Sequence, residues 1–167
     1  QANIQEHSMK KLAFIFGLFC SMYCYSDNNP ISQIQQYNQK LSVEEATQIY
    51  DMETKYAKKY NVPVEVGLGI SSKESRFITT ATSSTKESYG IKQINYKVWK
   101  KKYGLTKQCL HDAECNIEAG YKILRYYIDL KQGNITNAIM AYRGSTRKQT
   151  NLKYVNDVLS RSTRFKV

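Results

Sequence analysis

The chain has 167 residues, 41% of them hydrophobic, and a formal net charge of +11. That length holds one compact domain and excludes two comfortable ones, and the apolar share is enough for a real core. The charge calls for a polyanionic partner, whether nucleic acid, acidic lipid or a bacterial wall, and does not choose among them.

Met9 opens the stretch MKKLAFIFGLFCSMYCYS. Lys10 and Lys11 precede an apolar run from Leu12 to Tyr25, and Cys24 and Ser26 are small residues at the −3 and −1 positions of a cleavage site. This is the layout of a secretory signal peptide, and the run is too short for a comfortable membrane-spanning helix. We therefore expect residues 1–8 to be upstream, non-native residues, 9–26 to be the signal peptide, and no stable membrane span to remain after cleavage. Cys109 and Cys115 stay as an even pair, which in an exported protein reads as one small disulfide loop. Two cysteines with His111 are too few ligands at poor spacing for zinc, so no metal is expected.

Residues 27–42 are polar and rich in Asn and Gln, a lead-in. Ser42 and Glu45 form a capping box that opens a helix to about Tyr60. Its apolar stripe, Ala46, Ile49, Tyr50, Tyr56, Ala57 and Tyr60, is interrupted only by Glu53. Pro63 restarts a helix whose Val64, Gly67, Leu68, Ile70 and Ser71 suit burial, ending near Ser75-Arg76-Phe77. Thr79 to Ser88 reads as a loop with a short hairpin, followed by a helix from Asn95 to Tyr103. Asp112 caps a long helix from Ala113 to Lys131 with an apolar face of Ile117, Tyr121, Leu124 and Ile128. Gly133-Asn134 ends it. A short helix from Thr136 to Tyr142 and a last one from Asn151 to Ser160 complete a mainly α domain of six to seven helices.

The odd feature is Glu74, a carboxylate at the end of an apolar helix. If it lies in the packed interface, desolvation raises its pKa, the property a glycosidase acid requires. If it points outward it is an ordinary surface Glu. Residue types alone leave both readings open.

Glu74-Ser-Arg-Phe77 resembles the E-S-x-F motif of the soluble lytic transglycosylase (SLT) family. Ser88-Tyr-Gly-Ile-Lys-Gln-Ile-Asn95 is similar to its S-x-G-L-M-Q-I-N segment, and Asn116-Ile-Glu-Ala-Gly120 to its N-I-x-A-G helix. Gly133-Asn134 with AIMAYRG at 138–144 resembles its G-N…A-x-A-Y-N-x-G stretch, and Tyr154-Val155 with Val158 its closing Y-V-x-x-V. Five motifs in order cover about residues 45–160.

The resemblance implies a lysozyme-like single domain over 43–167 with a substrate groove between two lobes, and a peptidoglycan lyase that needs no cofactor. It assigns Glu74 as the catalytic carboxylate, Ser88 and Gln93 as groove contacts, and Tyr142 as a tyrosine reaching toward the acid. Lys92 replaces the family's Met and Arg143 its Asn, so both are expected as extra cations that bind substrate at the groove. The expected partner is the glycan strand of peptidoglycan, with no nucleic acid. A small exported enzyme of this kind fits a secretion, conjugation or pilus assembly complex, and equally a phage or wall turnover. A hydrolytic muramidase on the same fold, or an inactive wall-binding module, are the alternative readings.

Overall fold

The computed structural model describes residues 29–144 and 148–166; the expected signal peptide and the residues before it lie outside them. The described residues contain eight α-helices, a two-stranded sheet and a closing 3-10 turn, Thr163–Phe165: α1 Pro30–Tyr37, α2 Val43–Tyr60, α3 Val64–Glu74, β1 Ser88–Tyr89, β2 Ile94–Asn95, α4 Tyr96–Tyr103, α5 Lys107–His111, α6 Ala113–Leu130, α7 Ile135–Arg143 and α8 Lys148–Ser162. The fold is mainly α, as the sequence indicates.

Local chemistry accounts for the helix starts. At α2 the Ser42 hydroxyl accepts from the Glu45 amide at 3.1 Å, and the Glu45 carboxylate accepts from the Ser42 amide at 2.8 Å, the reciprocal capping expected there. Asn95 caps α4, Asp112 caps α6 and Asn134 caps α7, each accepting from an amide three residues on. α2 stops where Asn61 takes the left-handed conformation, and Val62 closes back on the Ala57 carbonyl.

The stretch 27–42, read from its polarity as a lead-in, contains α1. Asn29 caps it and Pro30 occupies the first turn, the position where a missing amide hydrogen is harmless. Ile34 is fully buried in the main core, so one well-placed apolar residue anchors a helix whose composition reads as a linker. α5 was likewise unmarked by any periodicity; Thr106 caps it and Leu110 buries.

Two apolar clusters define two lobes. The larger gathers side chains from α1, α2, α3, α6, α7 and α8 around Leu68, Ile70, Phe77, Ile117, Tyr121 and Val158. The smaller lies under the sheet, with Tyr89, Ile94, Trp99, Leu110, Ala119 and Ile123. α3 is the centre of the larger lobe because Gly67 and Gly69 let neighbours close in. A methyl at Gly67 would lie 1.9 Å from the Tyr121 hydroxyl on α6, and one at Gly69 would lie 2.2 Å from the Ser162 hydroxyl on α8. Asn116 ties the smaller lobe to α6. It is fully buried, accepts from the Lys92 amide, and donates to the Tyr89 and Leu110 carbonyls. The chain passes this amide closely at Gly90, whose φ of +76° and lack of space for a side chain both require glycine.

Cys109 and Cys115 are joined as a disulfide, with Cα atoms 5.5 Å apart. It bridges α5 to the first turn of α6. No described helix is long and apolar enough to cross a membrane.

Candidate active site

A groove of about 610 Å³ runs between the lobes. Glu74, at the C-terminal end of α3, enters it from the larger lobe, with Tyr142 and Arg143 from α7. Ser88 and Asn95 come from the sheet, Gln93 from the connection between its strands, and Val98 and Trp99 from α4. Glu74 is the only carboxylate among the described residues that line it.

Burial holds the Glu74 carboxyl above its ordinary range, because water that would solvate the anion is excluded. Four influences pull the other way. The Tyr154 hydroxyl donates a hydrogen bond to Glu74 Oε1, and Arg143, then Lys73 and Lys92, favour the anion through their charge. The net shift is upward, so the site holds a protonated acid at a pH where a surface Glu has lost its proton, and it also carries groups that stabilise the anion once the proton has left.

Tyr154 sits on α8 with its ring buried and its phenol pushed well above its ordinary pKa by burial and by the Glu74 charge. It therefore stays a proton donor. The Arg143 guanidinium lies 5.4 Å from the centre of its ring, a cation–π distance, which holds the arginine beside the acid. The motif containing Tyr154 is visible in the sequence, but its role is not. The available signal is a tyrosine on the buried face of a helix beside Val155 and Val158, whose hydroxyl must find a polar partner inside.

Tyr142 lines the groove, yet its hydroxyl donates to the Lys92 carbonyl at 3.0 Å. The contact to the acid thus belongs to Tyr154, and Tyr142 fixes the sheet connection against α7. Gln93 has a left-handed φ of 48°. Its side-chain amide donates to the Gly90 carbonyl at 2.9 Å and the Ala81 carbonyl at 3.2 Å, so it both holds the loop and borders the groove. Ser88 faces the groove from β1, where its amide donates to the Ser83 hydroxyl.

Lys92 is not at the groove, which corrects the expectation drawn from its replacement of Met. It is 2% exposed and runs into the larger lobe. Its Nζ is 3.0 Å from both oxygens of Glu53, 3.0 Å from the Gly67 carbonyl and 2.9 Å from the Ser71 hydroxyl. Ser71 in turn donates to Glu53 at 2.6 Å, and the ammonium lies 4.6 Å from the centre of the Tyr121 ring. A buried ammonium survives only where its donors are all taken, and here they are. Glu53, the one break in the apolar stripe of α2, is the other half of the same feature. Burial drives the Lys92 pKa down and the Glu53 charge holds it up.

Among the described residues no group of three His, Cys, Asp or Glu side chains is placed to hold a metal ion. What the groove offers is one desolvated carboxyl, a phenol that donates to it, a nearby guanidinium and a polar wall of hydroxyls and amides. That set can give a proton and take one back.

No curated protein matches the chain in sequence. A family model described as the transglycosylase SLT domain matches residues 51–162, a span that contains every groove residue described above, and the chain belongs to that family.

Proposed function

We propose that the chain is a lytic transglycosylase that cuts peptidoglycan between N-acetylmuramic acid and N-acetylglucosamine. The observation that carries this reading is the desolvated Glu74 carboxyl, the only carboxylate among the described residues that line the groove. Glycosidases of the common kinds need two carboxylates about 5–10 Å apart. A single carboxyl fits a reaction in which the substrate supplies the other groups.

Glu74 donates its proton to the glycosidic oxygen, and the bond from that oxygen to the muramic C1 breaks. The muramic acetamido oxygen bonds to C1 and carries the positive charge as an oxazolinium. The Glu74 anion, held by the Tyr154 hydroxyl and the Arg143 charge, then accepts the proton of the muramic C6 hydroxyl. O6 bonds to C1, the acetamido oxygen leaves it, and the product is a 1,6-anhydro sugar. Glu74 ends protonated, as it began, and no water is consumed. The polar wall at Ser88 and Gln93 suits contacts to the acetamido and lactyl region, and Arg143 suits an anionic group nearby. The family's wall substrate and the disulfide support an exported protein acting in the periplasm or outside the cell.

The test is product mass. Purified sacculi digested with the protein should release muropeptides ending in anhydromuramic acid. Products heavier by one water at each cut would replace this reading with hydrolysis, and no soluble products at all would overturn it.

A further inference from the structure

α4 carries Lys97, Lys100, Lys101 and Lys102 within eight residues, and Lys107 and Lys122 adjoin it. Lys100 and Lys107 both approach the Tyr96 ring, while Lys102 and Lys122 both approach Tyr103. Lys97 is paired with Glu87 at 2.6 Å. Among the described residues, Lys100, Lys101, Lys102, Lys107 and Lys122 form no salt bridge. Clustered cations repel one another, and an anion settling among them relieves that repulsion.

The position of the cluster decides which anion. Asn95 and Val98 line the groove. Lys101 and Lys102 follow Val98 at three and four residues, which places them on the same helix face, one turn further along. From α6, Tyr127 lines the groove and meets the Trp99 ring edge-on. Its neighbour Tyr126, 38% exposed, meets the same Trp99 ring and lies 3.1 Å beneath the Lys102 ammonium. The wall of the groove therefore passes from Val98 and Tyr127 into a shelf of Lys101, Lys102, Lys122 and Tyr126. Val98, 60% exposed, is an apolar step between the two.

We propose that this shelf docks the carboxylate-bearing stem peptides of the wall strand whose glycan occupies the groove. The proposal rests on the wall-cleaving reading above. In such a strand the lactyl groups are amidated by the stems, so the negative charge sits on the free carboxylates of the peptides and not on the sugars. Stems branch sideways from the glycan ribbon. A cationic shelf beside the groove, and outside its floor, is where a side branch reaches. Val98 and the Tyr126 ring supply apolar contact for the methyl groups of alanine in the stem. Continuity with the groove favours a branch of the groove's own ligand over a separate polyanion such as an acidic membrane.

The experiment is co-sedimentation of the full chain with insoluble wall, in a Glu74→Gln background so that strands persist. Intact sacculi are compared with glycan stripped of its peptides by an amidase, tethered to beads so that it sediments, with the lactyl carboxylates that the amidase frees capped as methyl amides. The variant combines Lys101→Gln, Lys102→Gln and Lys122→Gln, and the control removes the same charge at exposed Lys40, Lys58 and Lys131. Exposed lysines tolerate this change with little effect on folding, which circular dichroism checks. The shelf variant should bind intact sacculi about fivefold more weakly, as expected of a few partly solvated ion pairs together, and should bind peptide-free glycan like its parent. An equal loss on peptide-free glycan, an equal loss in the control, or no loss on intact sacculi would each overturn the proposal. So would loss of binding to vesicles containing anionic phospholipid with sacculus binding unchanged, which would assign the shelf to a membrane. Failure of the wild-type chain to cut sacculi would defeat the function proposed above, while the binding comparison would still decide the role of the shelf.

Discussion

The hydroxyl of Tyr154 donates to Oε1 of Glu74 across 80 positions of sequence. A donor aimed at a carboxylate favours its charged form, so this bond lowers the acid's pKa against the upward push of burial. In the proposed reaction the acid must start protonated, and activity should fall as pH rises through its pKa. Tyr154→Phe removes the donor, raises that pKa and moves the alkaline limb of the kcat/KM profile to higher pH. The plateau should drop about tenfold, since the anion formed in the first half of the reaction loses its support. A limb that stays in place or moves to lower pH would separate Tyr154 from the acid.

Glu74→Gln should abolish lysis of sacculi, by at least about a hundredfold, because an amide keeps the shape and has no proton to give. It should also stabilise the fold at neutral pH. The folded pKa of Glu74 lies above its ordinary value of 4.5, so the fold favours the protonated form. Below 4.5 both folded and unfolded chains are protonated and the wild type has no deficit. As pH rises through the interval between 4.5 and the folded value, the buried anion costs stability that the amide does not. Thermal unfolding at pH 7 should show a gain of about 3 °C for the variant, shrinking as the pH falls toward 4.5 and gone below it. A variant less stable than wild type at pH 7 would contradict the burial of the carboxyl.

Lys92→Met moves toward the common family pattern, yet in this chain it leaves Glu53 as an uncompensated buried charge. Breaking one half of such a pair costs about 3–5 kcal/mol. The double change Glu53→Leu with Lys92→Met removes both charges and should recover most of the loss. Urea unfolding of the two single variants and the double one measures the coupling. Near-additive losses would mean that the pair does not act as a unit.

Replacing Cys109 and Cys115 together by Ser should lower stability by about 2 kcal/mol, as expected from constraining a short loop in the unfolded chain. Activity should survive, because neither cysteine lines the groove and the groove residues of α6, Ile123 and Tyr127, lie more than two turns beyond Cys115. Urea titration of the folded variant beside the oxidised parent checks this. A stability equal to the parent's would mean that the bridge adds nothing to the fold.

Much of this fold is legible in one sequence because helix signals are local. Ser42 and Glu45 are three residues apart, and Asp112 needs only the amide of Cys115. Glu74 stands out too, since Val66 to Ile70 before it is an unbroken run of apolar residues and glycine, although residue types alone leave its burial open. What stays hidden is pairing at a distance. Lys92 looks like a groove cation until Glu53, 39 positions earlier, is found to face it. Both residues are visible oddities, an acid in an apolar stripe and a base where the family has Met. Two opposite charges in apolar places are more economically read as one buried pair than as two exceptions. α1 stays hidden because its apolar residues, Pro30, Ile31, Ile34 and Tyr37, span only two turns inside a polar stretch, too short for a period to stand out.

The two glycines of α3 carry one more consequence. Each glycine within a helix costs about 1 kcal/mol relative to alanine, and an isolated segment of this length is marginal even with better formers. The helix that bears the acid is therefore held in shape by α6 and α8 pressed against it, and the partner of the acid arrives on α8. Amide exchange along α3 should follow unfolding of the whole domain, with no separate early opening. On the function proposed above, lytic competence is then an all-or-none property of the finished chain, and partly folded forms carry the same residues without the ability to cut.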